Sequence, residues 1–328
     1  MKFATLADGS VDGSLLLVSK NLSLAVSVTH IAPNLLTVVQ NWNQYQPHLE
    51  AMYQQLNDGL LPLAFTFNPA QCAAPMPRSP QWLDASAFLN HAKLMEQAFN
   101  TKPIADMDTI PVMYQGASDD FLGPHTDVMM VSEDDGIDFE GEFGVIVDEV
   151  AMAASSEEAE KHIRLIVQIN DWSLRALGPR EMATGFGFLQ AKPSSSFAPI
   201  AVTPDELGDA WQDGRVKMHL AVEWNGTRFG APHGQEMNFS FGQLIAHAAR
   251  SRKLTAGSIV GSGTVSNSAR SAGSACIAER RVIEMIDQGE CTTSFMRFGD
   301  TVRMQAKYDD GHDGPFGIIE QQVVAVSS

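Results

Sequence analysis

A chain of 328 residues with 44% hydrophobic and 19% charged side chains can bury a sizeable core, as one large domain or a large and a small one. Its net charge of -17 excludes nucleic acid and anionic membrane as partners, because neutralising phosphates takes clustered Lys and Arg. An anionic small substrate is still allowed, since local cations and a metal outweigh a distant acidic surface.

Cys72, Cys276 and Cys291 are too few and too scattered for a disulfide framework or a zinc site, which points to a reducing compartment. Met1 to Leu17 lacks the basic and apolar regions of a secretory signal. No apolar run approaches the roughly 18–20 residues that span a bilayer. A cytoplasmic protein with no membrane partner is expected.

In chain order, Asp8-Gly9 and Asp12-Gly13 are hairpin signals beside the apolar run Leu15–Val18. From Leu35 to Leu56 apolar residues recur at near-helical spacing, with Pro47 expected to kink or split the helix. Four prolines between Asn68 and Pro80 mark a linker, so a small domain over residues 1–75 and a larger one over 76–328 are expected. Beyond it the spacing predicts helices at Ala85–Phe99, Ser156–Ile163 and Phe241–Ser251. Strands are predicted at Phe139–Val147, Ile163–Ile169, Met218–Trp224 and Thr301–Lys307. Long β stretches with scattered helices make a predominantly β, α+β fold and not a doubly wound parallel sheet. The stretch Asp309–Gly314 lacks the spaced acids of a calcium loop and reads as a hairpin turn.

Three acidic settings carry chemical interest. In the strand beginning near Phe139, Glu140 and Glu142 share a face, where their repulsion would become coordination around a hard cation. A solvated strand face explains the same spacing. Asp171 closes an apolar strand, either as a site carboxylate or as the N-cap of a following helical turn. Asp84 stands where a helix would begin, with His91 about two turns on. Lys192 follows an apolar run, Thr264 ends a glycine-rich loop and Glu279 follows Ala275–Ala278; each alone is an ordinary residue. Neither a G-x-G-x-x-G turn opening a helix nor a P-loop, zincin or serine-hydrolase motif is present.

Taken in order over residues 80–300, these segments resemble the fumarylacetoacetate hydrolase superfamily. Glu140-Gly141-Glu142 is similar to its Glu-x-Glu metal pair, and Asn170-Asp171-Trp172-Ser173-x-Arg175 to its Asn-Asp-Trp-Ser-x-Arg motif. Asp84 with His91 matches the spacing of its first metal-ligand Asp and catalytic His. Tyr114-Gln115-Gly116, Lys192 and Gly261-Ser262-Gly263-Thr264 resemble its substrate-facing Tyr, active-site Lys and substrate loop.

The resemblance implies a small N-terminal β-barrel-like domain followed by a mixed β-sandwich roll, forming a homodimer. It implies Mg²⁺, Mn²⁺ or Ca²⁺ on Asp84, Glu140, Glu142 and Asp171, and His91 as the base, oriented by Glu279. Lys192 would assist catalysis, and Tyr114, Arg175 and Thr264 would contact a dicarboxylic ketoacid. The expected reaction is hydrolysis of a β-diketo acid, fumarylacetoacetate to fumarate and acetoacetate, with acylpyruvate or fumarylpyruvate hydrolysis, ketoacid isomerisation and decarboxylation as related chemistries, and a non-catalytic metal-binding protein as the alternative from another class. Asn100, Gly178 and Ser86 stand where fumarylacetoacetases carry Arg, Gln and Tyr, so the far end of the substrate differs.

Overall fold

The computed structural model describes residues 1–99 and 104–326, and so leaves out Asn100. Two β-sheets face one another, and the longer one carries helices on its other side. The long sheet has eleven strands. From one edge, Phe65–Thr66, Leu24–Ser27, Ser14–Val18 and Lys2–Leu6 lead into Ala201–Val202, Ile163–Asn170 and Gly141–Val147. Ile259–Gly261, Trp82–Ala85 and Met113–Gly116 complete the order, and Ser196–Phe197 also pairs with Ile163–Asn170. The smaller sheet has five strands, among them His219–Trp224, Thr301–Lys307 and Asp313–Ala325. This is the predominantly β, α+β architecture expected from the sequence.

Burial on both faces explains why the long-sheet strands read as continuous apolar runs and not as alternation. In Ser14–Val18, Leu15 and Leu17 meet Leu35, Val38, Trp42 and Leu49 of the N-terminal helices. Leu16 and Val18 point the other way, into the core shared with the smaller sheet. The same division separates Leu165, Val167 and Ile169 from Ile166. Gln168 crosses that inner core, donating to the Met304 carbonyl and accepting from the Ala306 amide, which ties one sheet to the other.

Several local expectations are corrected. The first residues do not close into a barrel. Lys2 and Phe3 pair with Val202 and Ala201, so the N-terminal strands extend the edge of the main sheet across the predicted linker. The amphipathic stretch is two helices, Leu35–Gln40 and Trp42–Asn57, divided at Asn41 (φ −133°, ψ 43°), while Pro47 sits within the second. The expected helix Ala85–Phe99 begins only at Leu89. Trp82–Ala85 is a strand instead, paired with Ile259–Gly261 on one side and Met113–Gly116 on the other. The turn after Asn170 is the short strand Ser173–Leu174, paired with Ile137–Asp138. No helix among the described residues is long and apolar enough to cross a membrane.

Candidate active site

At one end of the long sheet, the parallel strands Trp82–Ala85 and Ile259–Gly261 end where antiparallel Gly141–Val147 begins and Ile163–Asn170 finishes. Side-chain alternation then delivers Asp84, Glu142 and Asp171 to one face. Carboxylate oxygens of the three lie within 4.8 Å of one another, and all three residues are buried. Pairing in the ladder accounts for Asp84: its backbone is committed to the sheet, so its side chain is not a helix cap.

The approach is close enough to require glycine. A Cβ on Gly261 would lie 2.4 Å from Asp84 Oδ1 and 2.4 Å from the Trp82 indole. Gly263 (φ +75°) turns its amide onto Asp84 Oδ1 at 3.1 Å, and Thr264 follows, buried, in the same loop. We expect Gly261→Ala to destabilise the fold by about 1–3 kcal/mol through overpacking and to weaken Mn²⁺ binding. Urea unfolding and calorimetric Mn²⁺ titration measure the two; wild-type values for both would refute the close approach.

Each acid has a different set of partners. Asp171 accepts from Ser195 Oγ (2.6 Å), Lys192 Nζ (2.7 Å) and the Tyr114 hydroxyl (2.5 Å). Glu140, the fourth expected ligand, stands beside the trio with its carboxylate held by Arg175 and by Lys192, 2.5 Å away. Glu142 has no hydrogen-bond partner for either oxygen among the described residues, although it is fully buried.

The electrostatics follow from these contacts. Burial, then the neighbouring Asp171 charge, lifts Asp84 well above the ordinary carboxylate range. Burial together with Asp84 and Asp171 does the same to Glu142. For Glu140 burial acts upward too, but Arg175 and Lys192 overcome it and hold the carboxyl low. Burial disfavours the Lys192 ammonium, yet Asp171 and Glu140 more than compensate, so it stays protonated. Burial and the Asp171 charge keep the Tyr114 phenol protonated as a donor.

Three convergent acids with no Cys or His among them are an oxygen-only donor set, suited to a hard divalent cation and not to zinc. An uncompensated buried carboxylate costs several kcal/mol. The orphaned oxygens of Glu142 are where a cation removes that cost. The residues therefore fit such a metal.

His91 is on the first turn of the helix Leu89–Phe99, whose start Asn238 caps by accepting from the Leu89 amide. Its Nδ1 lies 2.9 Å from Glu279 Oε2, and Glu279 is buried in the first turn of the helix Ile277–Gln288. Arg175, expected to contact substrate, spends its guanidinium on Asp138 and Glu140.

Sequence reasoning missed Asp138 and Ser195. Asp138 accepts from the amides of Ile277 (2.7 Å) and Ala278 (2.9 Å) and from Arg175 Nε (2.8 Å), linking the Glu279 helix to Arg175. Its position two residues before Glu140 was the available signal. Ser195 is one of three consecutive serines, and nothing local distinguishes it.

Residues 81–324 match the sequence pattern described as the fumarylacetoacetate (FAA) hydrolase C-terminal region, well over half the chain. The chain belongs to the fumarylacetoacetate hydrolase family. Residues 1–78 match fumarylacetoacetase N-terminal domain 2.

Within the family, the chain is 32% identical over 159 residues to a 2,4-didehydro-3-deoxy-L-rhamnonate hydrolase of Sphingomonas sp. strain SKA58. That match covers 48% of this chain and spans about half, 53%, of the relative's length. The fold is similar to a fumarylacetoacetate hydrolase from Exiguobacterium antarcticum (TM-score 0.68, 18% identity, 99% and 100% of the two chains). It is similar also to maleylpyruvate hydrolase from Sphingobium sp. SYK-6 in complex with manganese(II) and pyruvate (TM-score 0.66, 13% identity, 100% of both chains). A third similar structure is 2-hydroxyhepta-2,4-diene-1,7-dioate isomerase from Mycobacterium marinum (TM-score 0.60, 15% identity, 100% of both chains).

Proposed function

We propose that this family member is a divalent-metal-dependent hydrolase that cleaves a carbon–carbon bond in a β-diketo acid. The carrying observation is the buried acid trio with an orphaned Glu142, beside a His–carboxylate pair. Asp84, Glu142 and Asp171 would hold the cation, with Glu140 next to them. Bound there, the cation supplies Lewis acidity that polarises a carbonyl and offsets charge on the departing enolate.

The remaining chemistry belongs to the chain. Glu279 accepts a proton bond from His91 Nδ1, which leaves Nε2 free to take a proton from water. Water adds to the acyl carbonyl, the bond from that carbon to the methylene breaks, and the methylene carbon takes up a proton. Lys192 Nζ, bound by Glu140 and Asp171 at the acid cluster, would share its charge with a substrate oxygen, and the Gly263 amide just before Thr264 orients Asp84. Fumarylacetoacetate, named by the resemblance, is one acid of this kind. The similar maleylpyruvate hydrolase holds manganese(II), an oxygen-preferring cation, together with an α-ketoacid.

Assay of the Mn²⁺-loaded protein on fumarylacetoacetate, fumarylpyruvate, acetylpyruvate and oxaloacetate tests the reading. Hydrolysis of at least one diketo acid is expected, abolished by EDTA and restored by Mn²⁺. Turnover of oxaloacetate alone, or double-bond isomerisation without uptake of water, would overturn it.

A further inference from the structure

His91 Nδ1 is held by Glu279, which fixes the rotation of the imidazole. It does not fix where the helix Leu89–Phe99 starts, because Glu279 belongs to another helix. Between Asp84 in its strand and His91 in its helix the chain is short, and a loop runs alongside it. The Ala87 amide donates to the Ser262 carbonyl (3.0 Å). Asn90 Nδ2 donates to Ser266 Oγ (2.9 Å) and to the Asn267 carbonyl (2.9 Å). Ser266 and Asn267 are buried and continue the loop whose Gly263 amide holds Asp84 Oδ1. One stretch, residues 262–267, therefore touches a metal-site acid near its start and the base-bearing helix at its end.

That stretch is a fixed reference. The Ser262 amide donates to the Phe143 carbonyl (2.9 Å) and the Val265 amide to the Gly141 carbonyl (3.0 Å), on either side of Glu142. Asn267 pairs with the His233 backbone much as a neighbouring strand would. Its Oδ1 accepts the amide (2.6 Å) and its Nδ2 donates to the carbonyl (2.8 Å). The helix start has no ladder of this kind, since the first amides of a helix lack partners within it. Asn238 takes the Leu89 amide (2.8 Å), and the two bonds from Asn90 add a second attachment. An amide suits that task because its two N–H groups reach a hydroxyl and a carbonyl together, whereas a carboxylate only accepts. Both bonds go to the loop, and neither goes to an acid or to His91.

We propose that Asn90 is a positioning residue for the proton transfer: by clamping the first turn of the His91 helix to the loop 262–267, it sets where His91 stands relative to Asp84, Glu142 and Asp171. The inference rests on the hydrolase reading above and adds a residue to it. Glu279 sets the rotation and tautomer of the ring, and Asn90 sets its place. Without the clamp the first turn pivots on Asn238 and the Glu279 contact, and His91 Nε2 spends less time where it meets the attacking water. A misplacement of about 1 Å is enough to cost on the order of 100-fold in rate.

The test compares wild type with Asn90→Ala and Asn90→Asp, each loaded with Mn²⁺. On the best diketo acid kcat is expected to fall by about 10–100-fold, while KM and the calorimetric Kd for Mn²⁺ stay within about twofold. A second readout needs no substrate: the broadening of the His91 Cε1–H resonance by Mn²⁺, with Mg²⁺ as the diamagnetic reference and His91→Ala for assignment. Paramagnetic broadening falls steeply with distance, and both variants should show less of it than wild type. A merely structural tether would lower Tm and leave kcat and the broadening of the folded protein at wild-type values, which overturns the proposal. A loss of kcat with unchanged broadening overturns it too. Asn90→Asp keeps the size of the side chain and suits a first helical turn, so it carries the test where Asn90→Ala does not fold. Failure of the wild type to cleave any diketo acid overturns the hydrolase reading, and the broadening then still decides whether Asn90 places His91.

Discussion

Glu142→Gln is expected to lower Mn²⁺ affinity by at least about 100-fold, because even residues that only orient ligands cost 10–100-fold when changed. The same substitution should stabilise the metal-free protein. Its two buried oxygens have no partner among the described residues, and they face Asp84 and Asp171. Like charges at this range in a dry site repel strongly. An amide removes one charge and can donate to a neighbouring carboxylate.

A pH dependence accompanies this in the metal-free wild type. Asp84 titrates above its ordinary value through burial and the Asp171 charge, and Glu142 through burial and the charges of Asp84 and Asp171, so the folded state binds protons more tightly than the unfolded chain. Stability from that source is complete below the usual carboxylate pKa near ~4 and is lost as pH rises through the raised folded values. Cation binding reverses the trend, since it displaces the protons. Wild-type protein with Mn²⁺ at a hundredfold excess over Kd should gain about 2.7 kcal/mol, several degrees in Tm. Thermal unfolding of wild type and variant at pH 5.5 and 8, with Mn²⁺ and with EDTA, measures all of these. A variant that keeps the full Mn²⁺ increment in Tm would remove Glu142 from the metal site.

His91→Ala should reduce kcat by about 10²–10⁴-fold, the usual worth of a positioned acid–base group. Its Mn²⁺ affinity should match the wild type, because the imidazole binds Glu279 and none of the acid trio. Glu279→Gln should weaken kcat less and leave His91 in place, since an amide oxygen can still accept from Nδ1. Steady-state kinetics on the best diketo acid, with calorimetric Mn²⁺ titration of the same preparations, separates base from ligand. Retention of near-full kcat by His91→Ala would assign proton transfer to another group.

The strands were legible where packing is simple. Thr301–Lys307 is a strand as expected, and the hairpin turn at 308–312 joins it to its partner. Errors fell where tertiary pairing overrode local pattern. Asp84 looked like a helix cap because Leu89–Phe99 is helical, and only the flanking strands show that Trp82–Ala85 belongs to the sheet. Asn170-Asp171-Trp172-Ser173 was readable as a motif, but the duties of its members were not. Asn170 accepts from the Glu140 amide, and buried Trp172 donates to Ser196. Asn100, where one departure from the family pattern was expected, lies outside the described residues.

By itself the sequence determined the donor chemistry: acidic, oxygen-only candidate ligands, one imidazole with a distant carboxylate, and a core too β-rich for a nucleotide-binding sheet. Only the tertiary structure decided that Asp84, Glu142 and Asp171 converge while Glu140 is taken by Arg175 and Lys192. Residue type sets what a group can bind, but convergence depends on register between strands far apart in sequence, and a one-residue slip would turn each carboxylate to the opposite face.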